Sequence, residues 1–224
     1  MMLLATLAFV CSDAWAGPLS AAKDRLGRGN PVVWVGLDYS TTLILVPEAF
    51  DDPEEKIFWG PGGGMDDLIT RFAGPRDVWS RLTTDWNAMF LHGLYKKVEK
   101  ALDIRMTVAL PDPDGQTLPH GPPWFLAASR SPEFAMLLTD AEVKARAASW
   151  KVDARTGTGF GILVERLSKE EDRGCAWPVI FDLASREVLY TERLCSSPSG
   201  IGFRNYWFNP LADIVKAMVK KLKP

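Results

Sequence analysis

The most restrictive feature of the chain is a pair of extended segments, each ending in a cysteine at matching depth. Ala176-Trp177-Pro178-Val179-Ile180-Phe181 leads into the polar turn Asp182-Leu183-Ala184-Ser185-Arg186, and Glu187-Val188-Leu189-Tyr190-Thr191-Glu192-Arg193-Leu194 follows. Two β-rich runs about such a turn read as an antiparallel hairpin. With Asp182 opposite Val188, the register carries Cys175 opposite Cys195, and facing residues on one sheet face have Cβ atoms roughly 4.5–5.5 Å apart. A disulfide is therefore expected between them. By the chain-entropy account, closing a loop of this size contributes on the order of 3 kcal/mol.

The third cysteine, Cys11, belongs to a different context. Met1 to Val10 is an apolar run, and Ala14-Trp15-Ala16-Gly17 places small residues at −3 and −1 of a cleavage point between Ala16 and Gly17. That pattern reads as a secretory signal peptide over 1–16. The run is too short for the roughly 20 apolar residues of a membrane span. A lipid anchor on Cys11 is the competing reading, and bulky Phe9 and Val10 ahead of it argue against it. The mature chain, 17–224, is expected to be periplasmic or secreted, where a bridge is favoured.

The remainder alternates strand and helix signals. Val32 to Leu37 is apolar throughout, as in a strand covered on both faces, and Leu43 to Val46 continues or neighbours it. Gly60 to Gly64 precedes a short helix carrying Leu68, Ile69 and Phe72. Gly74-Pro75 introduces a long helix to about Leu102, with a stripe of Trp79, Leu82, Trp86, Met89, Phe90 and Leu94. Ile104, Met106, Val108 and Leu110 alternate as a half-buried strand, and residues 111–123 form a proline-rich surface loop. Thr139 and Glu142 have the spacing of a capping box for a helix over 140–150. Phe160, Ile162 and Val164 open a strand leading to the hairpin. Asn209 as N-cap and Pro210 at the first position predict a final amphipathic helix with Leu211, Ile214, Val215, Met218 and Leu222 on one side. The expected fold is a single α/β domain, a mixed sheet packed with helices.

Chemistry is sparse in the sequence. With 26 basic and 28 acidic residues, the net charge of −2 gives no electrostatic case for nucleic acid. The glycines at 60–64 lack the Lys-Ser/Thr of a phosphate loop, and Asp66 and Asp67 follow them. Gly157-Thr158-Gly159-Phe160-Gly161 precedes a strand, so close packing is expected there and no dinucleotide. Asp112-Pro113-Asp114-Gly115 departs from a calcium loop at its glycine and at Pro123. His92 and His120 are the only histidines, and neither forms a metal-ligand pair at helical spacing. No cofactor or metal motif and no catalytic set is assigned.

Two readings of the function remain. The segment Gly200 to Trp207 offers Arg204, a planar fork for carboxylate or phosphate, beside Asn205, Tyr206 and Trp207, whose rings can stack on a sugar. Those residues make the candidate ligand-binding set; in the competing reading the aromatics pin the final helix to the sheet. The preferred function is a non-catalytic envelope or secreted domain binding a protein or small ligand. The alternative is a secreted hydrolase or transferase, acting for instance on polysaccharide, with Asp38, Asp85 and Glu165 converging as dispersed carboxylates.

The stretch Phe181 to Leu189, with Gly200-Ile201-Gly202-Phe203-Arg204-Asn205-Tyr206-Trp207, resembles the ending of an uncharacterised family of secreted bacterial proteins common in Bacteroidetes. That ending is an FD-T-EV hairpin and a GGFGxRNYW segment, with Ile201 here standing where the family has Phe. Val35-Gly36-Leu37-Asp38 and Trp86-Asn87 are similar to the family's VGLD strand and WN pair. The resemblance implies secretion and no particular activity.

Overall fold

The computed structural model describes residues 19–27, 29–40, 42–46, 75–108, 124–127, 138–168, 171–201 and 203–223, apart from the side chains of 43–46, 75–83, 124–127 and 203. The expected leader with Cys11, Ala16 and Gly17, the glycine turn at 60–64 with its helix, the 111–123 loop and His120 lie outside the described residues. So do Leu110 and the side chains of Trp79 and Leu82.

The longest strand, β5 (Thr158–Ser168), organises the sheet. β6 (Arg173–Asp182) runs antiparallel along one entire edge of it. The other edge is shared end to end by β1 (Val32–Asp38) and β2 (Leu43–Val46), both parallel to β5. Outward of these, β3 (Met106–Val108) pairs β1 and β4 (Trp124–Ala127) pairs β2, again parallel. β7 (Val188–Thr191) and β8 (Leu194–Ser196) divide the far edge of β6. The sheet is mixed as expected, parallel where helices cross over and antiparallel at the hairpin. The crossovers are α2 (Pro75–Gly93) with α3 (Tyr95–Leu102), and α4 (Asp140–Ser149); α1 (Leu19–Arg25) and α5 (Phe203–Leu222) flank them.

Alternation along the strands divides the apolar side chains between two cores. On one face Trp34, Phe160, Ile162 and Ile180 meet Trp86, Phe90, Leu94 and Val98 of the α2–α3 region and Trp207, Leu211, Val215 and Met218 of α5. Trp34 and Phe90 stack there at 3.8 Å. On the other face Val33, Val35, Leu163, Trp177, Val179 and Phe181 meet Val143 and Ala147 of α4 and Trp150 just after it. The glycines of β5 serve this second core: a Cβ on Gly159 would lie 2.3 Å from the Phe181 ring, and one on Gly161 2.5 Å from Val35 and 2.8 Å from the Trp150 ring. Their missing side chains make room chiefly for rings, where the sequence predicted close packing.

The disulfide Cys175–Cys195 forms, with Cα atoms 4.1 Å apart. The register matches expectation near it and again at Val179–Thr191 and Ile180–Tyr190. A bulge at Phe181 then puts Phe181, instead of Asp182, opposite Val188. Asp182 is thereby free to close the turn, its Oδ1 accepting the N–H groups of Ala184 (2.9 Å) and Ser185 (2.8 Å). The capping box at Thr139 and Glu142 is present with both reciprocal bonds.

Several elements differ from expectation. The second hairpin arm breaks at Glu192 and Arg193, where Glu192 accepts from Tyr190 Oη (2.6 Å) and from Lys221 Nζ (2.6 Å) and so ties the break to α5. The long helix is interrupted at Leu94, with α3 continuing as a separate element. Val108 is 46 % exposed, against the half-buried pattern assigned to its strand. α1, and β4 beyond the proline-rich segment, carry no pattern the sequence reading used.

The final helix is the largest correction: it starts at Phe203, so Pro210 lies inside it and Asn209 is not its cap. Proline lacks the N–H that would bond the carbonyl four residues back. That carbonyl, of Tyr206, instead accepts from Ser199 N–H (3.4 Å), while Asn209 Nδ2 donates to the Ser199 carbonyl (2.8 Å). The preceding loop is thus stitched to the helix at its break.

Candidate functional site

The four residues singled out near the C-terminus face different surroundings. Trp207 is fully buried in the larger core. Tyr206 is half-buried, with its Oη donating to Asp172 Oδ1 (2.7 Å) and its ring edge-on to Trp207 at 5.0 Å. Asn205 Nδ2 donates to the Ile201 carbonyl (3.1 Å). Arg204 is exposed, its Nη1 3.8 Å from Asp85 Oδ2, and its carbonyl accepts from Trp86 Nε1 (2.8 Å). These contacts fasten the start of α5 to α2 and to the β5–β6 turn.

The three carboxylates do not meet. Asp85 lies on α2 beside Arg204, on the larger-core face. Asp38 and Glu165 are both turned toward α4 and are 2 % and 3 % exposed, so each must be satisfied by protein groups. Asp38 Oδ2 accepts from Arg146 Nε (2.9 Å) and Trp150 Nε1 (2.6 Å), and its Oδ1 accepts from Ser40 N–H (2.8 Å). Glu165, at a bulge of β5, accepts from Arg193 Nε (2.6 Å) and from the N–H of Leu138, just ahead of α4 (3.1 Å). Together they clamp both ends of α4 to the sheet. Sequence reasoning found the two acids and missed their partners; Arg146 and Trp150, four apart on an alanine-rich helix, were the available signal.

Asn87, read from the sequence only as half of the WN pair, has a role that the sequence did not show. Among the described residues β3 pairs β1 only from Val32 to Trp34, and no strand pairs the next part of that edge. There Leu37 N–H donates to Asn87 Oδ1 (2.8 Å), and Asn87 Nδ2 donates back to the Leu37 carbonyl (3.4 Å). One amide side chain replaces a missing strand.

Open sheets of this class bind ligands beyond the carboxyl ends of their parallel strands. Here the row of β1 runs on into β2, and Asp38, Asn87 and Arg146 fill the junction. A cleft of about 870 Å³ lies at the opposite end, between the α1–β1 connection and α3. Gly27, Gly29, Asn30 and Pro31 form one side, and Lys96, Glu99, Lys100, Asp103, Arg105 and Thr107 are on the other. Asp103 ends α3 in the left-handed region (φ 54°), its N–H capping onto Glu99 O. Glu99 itself is engaged: Met106 N–H donates to one oxygen (2.8 Å) and Lys96 Nζ to the other (2.7 Å). Partial burial would raise its pKa, but these donors outweigh that effect and hold it below the ordinary range. Among the described residues neither Lys100 nor Arg105 has a carboxylate within 4.0 Å, although the Arg105 charge acts on Glu99 from farther away, and both cations line the cleft.

No protein-family model matches the sequence, and no curated protein or solved structure matches the chain.

Proposed function

We propose that this chain is a non-catalytic domain of the secreted or periplasmic space that binds a small anionic ligand in the cleft between the α1–β1 connection and α3. The observation that carries this reading is the division of charged groups. Asp38 and Glu165, the acids best suited to catalysis by burial, are saturated by structural donors, whereas Lys100 and Arg105 line an open cleft with no carboxylate within 4.0 Å among the described residues. A concave site with a few convergent polar groups is the usual form of a small-molecule site. The disulfide fits an oxidising compartment, and among the described residues no helix is long and apolar enough to cross a membrane. The signal-peptide pattern and the resemblance to a secreted bacterial family support the same location.

The test is an NMR titration of the chain with small carboxylates and inorganic phosphate. Saturable shifts at Gly29, Lys100 and Arg105, abolished in the Lys100→Ala/Arg105→Ala variant, are expected. An absence of saturable shifts at these residues would remove the proposal.

A further inference from the structure

We propose that the surface shared by α3 and α5 docks on an anionic phospholipid bilayer. A hollow of about 160 Å³ between the two helices has an apolar floor that includes Val98 and Val219 and a rim of Lys97, Lys216, Lys220 and Lys223. Lys216 is paired with Asp213 (2.7 Å), whereas Lys97, Lys220 and Lys223 have no carboxylate within 4.0 Å among the described residues. In a chain of net charge −2 this is a marked segregation of positive charge.

Helix stability does not account for it. Lysines near the C-terminal end of α5 complement the helix dipole, but Lys97, with Lys96, stands in the first turn of α3, where cations are disfavoured and no acid is present. The composition of the rim selects the partner. Protein interfaces are depleted in lysine and centred on aromatic or arginine anchors, and the described large apolar residues that are exposed, Val108 and Ile201, are not part of it. Single-stranded nucleic acid sites add aromatic or arginine planes for stacking bases, and the rim has neither. Flexible, strongly hydrated ammonium groups suit a surface that presents phosphate charge and no shape to be read.

Sedimentation of the full chain with vesicles tests this, using phosphatidylglycerol mixed into phosphatidylcholine against phosphatidylcholine alone. Dependence on lipid charge is the readout, since it separates electrostatic docking from apolar partition. The account predicts tighter binding to the anionic vesicles, reversed by salt. Each lysine near such a surface is worth about 1 kcal/mol, so Lys97→Gln/Lys220→Gln weakens that binding roughly 30-fold. These exposed substitutions leave the core untouched, and an unchanged circular dichroism spectrum checks the fold. Equal binding to both vesicles, a variant that sediments like the parent, or a surface that binds duplex DNA or an acidic peptide and ignores the anionic vesicles would each overturn the proposal.

Discussion

The two faces of the sheet are secured by different means. One carries α1, α2, α3 and α5, and its contacts are mostly apolar volume: Trp34 on Phe90, with Trp86 and Trp207 completely buried. The other is served among the described residues by α4 and Trp150, and there a smaller apolar cluster, two buried carboxylates and the Trp150 ring over Gly161 supply the attachment. Broad apolar packing tolerates small shifts, while a thin layer depends on a few directional contacts. Buried acids on the thin face are therefore better explained as fastenings than as catalytic groups.

The largest effect is expected on the thick face. Trp207→Ala removes a fully buried indole and should lower unfolding free energy by about 3–5 kcal/mol in chemical denaturation. A loss below 1 kcal/mol would mean that the larger core does not depend on α5. Next comes the bridge between β6 and β8: the Cys175→Ala/Cys195→Ala variant should lose about 3 kcal/mol, read the same way. On the thin face, Gly161→Ala forces a methyl against Val35 and Trp150 and should cost about 1–3 kcal/mol, with a shifted Trp fluorescence. An unchanged midpoint would show that Trp150 has room to move. Thr139→Ala, which removes one capping bond of α4, should cost about 1 kcal/mol.

The smallest effect concerns pH. The Ser185 N–H, opposed by slight burial and aided by the Ala184 N–H, the Ser185 hydroxyl and Arg25, holds the Asp182 carboxyl below its usual range. A carboxylate depressed in the folded state stabilises fully above its unfolded pKa and loses that contribution as pH falls through the folded value. Tm against pH should therefore fall less steeply on the acid side in Asp182→Asn than in the parent. Parallel curves would show that the turn does not draw on the ionised form.

What the sequence disclosed follows the range of each interaction. The Cys175–Cys195 pairing and the Thr139–Glu142 box join residues whose relation is fixed by a hairpin or by one helical turn, and both were legible. The start of α5 was not, because Pro210 at a helix start is the commoner arrangement, and the carbonyl it leaves free is satisfied by Ser199 from outside the helix. Asp38 was recognisable as an acid at the end of a buried strand, but its partners lie 108 and 112 residues away. The basic hollow likewise needs α3 and α5 brought side by side. Each helix alone shows only lysines on an exposed face.

The central claim, that the buried carboxylates fasten α4, is tested most directly by amide hydrogen exchange on Asp38→Asn. The account predicts that protection of α4 falls markedly while that of α5 changes only with global stability, and that the variant loses about 2–4 kcal/mol, between the values for exposed and fully buried pairs. Unchanged protection in α4, or a variant more stable than the parent as when a strained catalytic acid is neutralised, would contradict it.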